Sequence, residues 1–154
     1  HFSGNDAVYL IGSFGASSVL VYGIIQSPFS QPRNLVGGHL ISAFIGVTVH
    51  KLVPDIIWIA APLAVSLSIV LMQITKTLHP PGGATALIAI IGSDKIKALG
   101  YTYLLSPVLI GVLILLLAAL IFNNMTSKRQ YPNHKKYHKI KKRIRAVFKT
   151  DTIT

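Results

Sequence analysis

The chain has 154 residues, of which 51% are hydrophobic and only 12% charged, and its formal net charge is +11. Soluble domains carry about 25% charged residues, so an ordinary water-surrounded domain is excluded. The absence of cysteine also excludes disulfides, thiol catalysis and Cys-ligated zinc.

The remaining charges are badly distributed for a soluble fold. Charge-free stretches of 17 to 30 residues separate Asp6 from Arg33, Arg33 from Lys51, Asp55 from Lys76, Lys76 from Asp94, and Lys97 from Lys128. A transmembrane helix needs about 20 apolar residues. A soluble core helix would show a polar face at a period near 3.6, yet residues 56–74 carry no charge on any face. The expected fold is all-α, a polytopic transmembrane bundle with five visible spans at residues 8–25, 34–50, 56–74, 81–92 and 104–122.

The first span is interrupted by Gly12, Ser13 and Gly15. Glycine disfavours a helix interior, so a helix start is expected near Gly15. The second span follows the loop SPFSQPRN and opens on Arg33 and Asn34. Arg33 either attracts anions or anchors the helix at the headgroups. Gly38, Ser42 and Gly46 form a small-residue ridge, whose ordinary use is close helix packing. His39 and His50 share a face of this span at about 16 Å apart, taking 1.5 Å per residue, which is too far for one metal ion. His39 is the better candidate for function because Gly37 and Gly38 precede it.

The third span carries no charged residue. The fourth opens on HPPGGATA, residues 79–86, which places an ionisable ring, two prolines and two glycines in an apolar run. Proline is favoured at the first position of a helix. A helix that starts at Pro81 inside the protein is expected to leave its first N–H groups without intrahelical partners, and such donors form an anion site. Gly82 and Gly83 would let a ligand approach the backbone, and Thr85 would add a hydroxyl. His79 is a candidate anion donor, proton carrier or helix cap, since an intramembrane ionisable residue is a functional candidate by default. The fifth span is Leu-rich and ends at Asn123-Asn124.

The segment Gly15-Ala16-Ser17-Ser18-Val19-Leu20 resembles Gly83-Ala84-Thr85-Ala86-Leu87-Ile88 at an offset of 68. Both follow helix-disfavouring residues, and both precede a proline-ended loop and a further span. The reading is an inverted repeat of three plus three helices, with units at about residues 1–50 and 55–124 and a first helix preceding His1. Such repeats are common in secondary transporters, where half-helix ends face a substrate. The expected substrate site is therefore Gly15, Ala16, Ser17, Ser18, Arg33, Asn34, His39, His79, Pro81, Gly82, Gly83, Ala84 and Thr85.

Ten of the fifteen Lys and Arg lie at or beyond Lys128, with Asp151 the only acid there, so the tail carries +9. Residues 1–127 thus form the membrane domain and 128–154 a basic tail. In KKYHKIKKRIRAVFK, residues 135–149, apolar side chains fall on one helical stripe among cations, the pattern of an interfacial helix. A basic tail next to a membrane reads as cytoplasmic and as drawn to anionic headgroups. No recognition motif accompanies the charge, so nucleic acid is not an expected partner.

Taken together, FGASSVLVYGIIQSPFSQPRNLVGGHLISAFIGV (14–47), HPPGGATALIAIIG (79–92), the Leu-rich stretch 108–120 and Asn123-Asn124 resemble the HPP family of integral membrane proteins. That family is named for the tripeptide present here as His79-Pro80-Pro81, and the resemblance runs over residues 14–124. Members are usually described with four transmembrane helices, against the five spans read here. Because some plant and cyanobacterial members are linked to nitrite transport, the resemblance implies an anion carrier or channel with nitrite as the leading substrate. The expected partners are a small inorganic anion, the lipid bilayer and a second copy of the chain. No cofactor, metal or enzymatic activity is expected, and the expected location is a prokaryotic plasma membrane. The alternative is a non-transporting anchor or assembly subunit that acts through the basic tail.

Overall fold

A computed structural model of the protein describes residues 12–133. The expected interfacial helix at 135–149 and the first residues of the first expected span lie outside the described residues. All regular structure among the described residues is helical. Helix α1 covers residues 12–23 and widens to π geometry over Val19–Gly23. A 3₁₀ turn at Pro28–Ser30 leads to α2, Pro32–Leu52, followed by α3, Ile57–Ile74. Then come α4, Gly82–Ile91, the short α5, Asp94–Ala98, and α6, Leu104–Asn124.

Among the described residues, three helices are long and apolar enough to cross a membrane: α2, α3 and α6. At 1.5 Å per residue a 21-residue helix such as α2 reaches about 31 Å, against a hydrocarbon core of about 30 Å. The side chains turned outward fit that solvent. Trp58 and Ile59 on α3 and Ile110, Ile114, Leu117 and Ile121 on α6 are exposed, an arrangement that suits a lipid surrounding. The fourth expected span is corrected: α4 has 10 residues and covers about 15 Å, half of a bilayer core.

The turn between α3 and α4 explains why α4 is short. Lys76 closes α3 in the left-handed region at φ 55. The N–H of Thr77 donates to the Met72 carbonyl at 2.8 Å and that of Lys76 to Gln73 at 3.1 Å, the two bonds of a Schellman ending. The chain then passes back into the bundle as non-helical Thr77–His79 and lies along α2. It fits because α2 offers two glycines there. A Cβ on Gly37 would stand 2.7 Å from Thr77 Cγ2, and one on Gly38 2.5 Å from His79 Cβ. By the time α4 begins at Gly82 it is level with Gly38 and Ser42, about 9 to 15 Å along α2.

From that point α2 and α4 run parallel and very close. A Cβ on Gly82 would be 2.9 Å from Ser42 Oγ, and one on Gly46 would be 2.6 Å from the Ala86 carbonyl oxygen. The ridge Gly38-Ser42-Gly46 is thus the packing face that the sequence predicts, and its partner is α4. Antiparallel to them, α3 covers α4 through Val65 on Gly83. Helix α1 runs beside α6, with Phe14 on Gly111 and Asn123 donating to the Val21 carbonyl at 2.8 Å.

Two further corrections concern the breaks. Helix α1 runs unbroken through residues 12–18, so no helix starts at Gly15. The cost of a helical glycine, about 1 kcal/mol, is small beside the burial of Ser13, Ser17 and Val21 on one face. Conversely, the fifth expected span is kinked at its start. Ser106 is extended, at φ −137 and ψ 121, just before Pro107.

Past Lys128 the chain folds back on the bundle. Tyr131 is buried and donates its phenol to the Ser30 carbonyl at 2.6 Å, and burial, with the neighbouring Tyr22 phenol, pushes it up to about 12. Asn124 holds the same residue at both ends of its amide, by 2.6 Å and 3.0 Å bonds to the Tyr131 carbonyl and N–H.

Replacing Gly46 by Ala should destabilise the bundle by about 1 to 3 kcal/mol through overpacking. Gly15→Ala, which meets nothing within 4 Å, should be neutral or stabilising by up to about 1 kcal/mol. Unfolding midpoints in mixed micelles read both, and equal effects would contradict this packing.

A buried histidine–hydroxyl cluster as the candidate functional site

Where α1, α2 and the start of α4 meet, five polar side chains lie together inside the bundle. Ser13 and Ser17 come from one face of α1, being four residues apart. His39 comes from α2, His79 from the non-helical run before α4, and Thr85 from the first turn of α4. All five are buried, with Ser17, His39 and His79 at 0% exposure. Burying a polar group costs free energy unless it is hydrogen-bonded, and each of these is bonded.

The bonds form one continuous chain. His79 Nδ1 lies 2.8 Å from the Phe29 carbonyl oxygen and its Nε2 2.9 Å from Ser17 Oγ. Ser17 Oγ lies 2.8 Å from His39 Nε2. His39 Nδ1 lies 2.7 Å from Thr85 Oγ1, which is 2.9 Å from Ser13 Oγ. Ser13 also reaches the Pro81 carbonyl at 3.3 Å. The two imidazole rings sit 5.0 Å apart between centroids, and the Phe14 ring lies 5.5 Å from His39 on another side.

Donor and acceptor chemistry then fixes the protons, which are assigned from the network. A carbonyl only accepts, so His79 carries its hydrogen on Nδ1 and accepts at Nε2 when neutral. Ser17 has one hydrogen, and giving it to His79 Nε2 obliges His39 to donate from Nε2. His39 Nδ1 is then an acceptor and Thr85 donates to it. Every other neutral arrangement leaves at least one ring nitrogen without a partner, so the two rings are opposite tautomers.

The helix start does not provide the free donors expected of it. The N–H groups of Gly82, Gly83 and Ala84 donate to the carbonyls of His79, Pro80 and Pro81 at 2.8, 3.1 and 3.2 Å. A tight turn through the two prolines has consumed them. Nor do the glycines make room for a ligand, since Gly82 is occupied by the close approach of α2 and Gly83 meets Val65 at ordinary contact distance.

The other expected site residues divide clearly. His39, Ser17, His79 and Thr85 are brought together, and Pro81 joins through its carbonyl. Gly15 and Ala16 are exposed on the outer face of α1, and Ser18 bonds back to the Phe14 carbonyl at 2.9 Å. Ala84 is partly buried, beside the cluster rather than in it. Arg33 and Asn34 are clamps on the α3–α4 turn, donating to the carbonyls of Thr75 and Leu78, both at 2.8 Å. Sequence reasoning missed Ser13 as a member, the Phe29 carbonyl as the end of the chain, and Tyr103, whose phenol donates to the Thr85 carbonyl at 3.2 Å. The glycine doublets of GGH and HPPGG mark His39 and His79 but give no signal for these three.

An all-helical membrane bundle with a half-length helix beginning beside a buried polar cluster defines the class of protein. Its sequence matches the family model described as the HPP transmembrane region over residues 1–132, and the chain belongs to that family. It is 48% identical over 126 residues to a transmembrane protein of Dictyostelium discoideum, covering 80% of this chain and 44% of that protein. A second transmembrane protein of the same organism is 46% identical over 133 residues, covering 82% of this chain and 42% of its own length. The chain therefore spans less than half the length of these relatives. No solved structure matches it.

The network makes a measurable claim on stability. His39→Leu and Thr85→Val should be non-additive, with a coupling of about 0.6 to 1.7 kcal/mol, the range of interhelical hydrogen bonds in membranes. Additivity within about 0.3 kcal/mol in a double-mutant cycle would show that the two side chains do not share a bond.

Proposed function

We propose that the protein is a membrane transporter of a small inorganic anion, with nitrite as the first substrate to test. The observation that carries this reading is the half-length helix α4 beginning partway across the bundle, beside the cluster of Ser13, Ser17, His39, His79 and Thr85. Polar and ionisable groups within a membrane are expensive, and they mark solute and proton pathways. Discontinuous helices that start near the midplane are the usual frame of such sites in secondary transporters. The positive end of α4 faces the cluster, which suits a negative solute. Nitrite rests on the family resemblance and not on geometry.

The inverted repeat draws support from the way its two segments meet. Ser13 bonds to Pro81 and Thr85 while Ser17 bonds to His79, so α1 and the start of α4 cross in opposite directions. Arg33, Lys76 and Lys128 lie at one end of the bundle, and Lys51, Lys95 and Lys97 at the other. The positive-inside rule, applied to the basic tail, favours an orientation with the Arg33 end in the cytoplasm. A prokaryotic plasma membrane draws no support from relatives found in Dictyostelium. The anchoring alternative rests on residues 128–154 alone.

Proteoliposomes decide between them. The full chain should take up nitrite well above empty vesicles, His39→Leu should lower the rate at least tenfold, and neutralising the Lys and Arg residues of 135–149 should leave most of it. Uptake equal to empty vesicles by correctly folded protein would contradict transport.

A further inference from the structure

We propose that His39, Ser17 and His79 form a one-proton store in the middle of the membrane, with a single excess proton exchanged between the two rings through the Ser17 hydroxyl. The argument starts from the bond inventory of the cluster. In the neutral state Ser17 donates to His79, His39 donates to Ser17, and Thr85 donates to His39. Adding one proton to His39 Nδ1 turns that nitrogen into a donor to Thr85 Oγ1. Thr85 then donates to Ser13 Oγ, and Ser13 donates to the Pro81 carbonyl, which stands ready at 3.3 Å. No hydrogen is left without an acceptor.

The same holds when the proton sits on His79. His39 Nε2 gives its hydrogen to Ser17 Oγ while the Ser17 hydrogen passes to His79 Nε2. The bonds of 2.8 Å and 2.9 Å that flank Ser17 carry both transfers. Ser17 now donates to His39 Nε2 and accepts from His79 Nε2, while His79 Nδ1 continues to donate to the Phe29 carbonyl. Charge moves from one imidazole to the other, and Thr85 and Ser13 keep the orientation they already had. Two protons are a different matter. Both Nε2 atoms would then donate to Ser17, whose own hydrogen could go only to the Ser13 carbonyl at 3.2 Å, and two cations would stand with ring centroids 5.0 Å apart. The site is built for one.

The surroundings place no competing charge beside it. Helix α1 contributes the Phe14 ring and the two serines, and Tyr22 lies further along, where Arg129 donates to its carbonyl. Helix α2 carries Arg33 at one end and His50 and Lys51 at the other. Helix α3 reaches this region with Met72, whose sulfur meets Ser42 at 3.7 Å. The residue preceding α6, Tyr103, is the titratable group on that side, and it donates to the Thr85 carbonyl. Lys76 lies in the turn after α3, and Tyr131 caps Ser30. The two acids of the described residues, Asp55 and Asp94, are exposed at the far end, where Asp55 pairs with Lys97 at 3.4 Å.

Because every member is buried, the proton reaches either solution only when the bundle opens around it. That suits coupling rather than leakage. Resting on the anion reading above, the store would make uptake electroneutral, one proton accompanying one monovalent anion. The proton site itself requires only the cluster.

The test is solid-state NMR of the full chain in bilayers with ¹⁵N-labelled histidine, the other four histidines replaced by glutamine. At neutral pH His79 should be the Nδ1–H tautomer and His39 the Nε2–H tautomer. On acidification the two rings together should gain one proton per chain, with both rings shifting together. Ser17→Ala should abolish the joint shift, and Ser17→Thr should restore it. Identical tautomers, independent uptake of two protons, titration confined to one ring, or no uptake while the fold persists would each overturn the store. A shared proton without nitrite uptake in proteoliposomes supports the store and contradicts the anion reading; nitrite uptake with independent rings does the reverse.

Discussion

The passage of residues 77–82 against Gly37 and Gly38 of α2 is the contact on which the rest of the structure depends. A chain that leaves helix geometry inside hydrocarbon must find protein partners for its backbone, since lipid offers none. Here α2 provides them through side chains and the returning chain provides others through its own turn. Asn34 takes the Leu78 carbonyl and Arg33 the Thr75 carbonyl, while the prolines cost no donors and the carbonyls of His79, Pro80 and Pro81 receive the first three N–H groups of α4. Without a Cβ at Gly38, His79 sits against α2 closely enough for its ring to reach Ser17 and stand beside His39. A methyl group there would separate the rings and undo the cluster.

From that contact follows the short length of α4. The chain has already returned about 9 to 15 Å along α2 before helix resumes, and the ten residues of α4 add about 15 Å. It also explains why so polar a group of side chains is tolerable. Every hydrogen of the cluster has an acceptor in reach, and its two ends are backbone carbonyls, of Phe29 and Pro81. An unpaired buried polar atom would carry its full desolvation cost, and among the described residues no buried side-chain nitrogen or oxygen lacks a partner.

Much of the architecture was legible because hydrocarbon leaves few options. Charge-free runs marked the spans, and the prolines of HPPGG marked the break before α4. The small-residue ridge on α2 announced close packing, though not against which helix. Gly15 misled because a single glycine weighs little once Ser13 and Ser17 have buried partners. The expectation of free helix-start donors failed because a tight turn through Pro80 and Pro81 satisfies them locally. Pro107 is the visible signal for the kink at Ser106, hidden by the apolar run around it. The pairing of His39 with His79 could not be seen in periodicity at all: it joins residues 40 apart in sequence through Ser17, a residue on a third element. Family membership, by contrast, was legible from the motif itself.

If two imidazoles and one hydroxyl are the centre of the molecule, their proximity is the central claim. Carbon–carbon correlation by solid-state NMR, with histidine ring carbons labelled and the protein in lipid bilayers, measures it without mutation of the cluster. With ring centroids 5.0 Å apart, cross-peaks between the His39 and His79 rings should build up at short mixing times. Their absence, in a sample whose α2 and α4 resonances show both helices formed, would contradict the account.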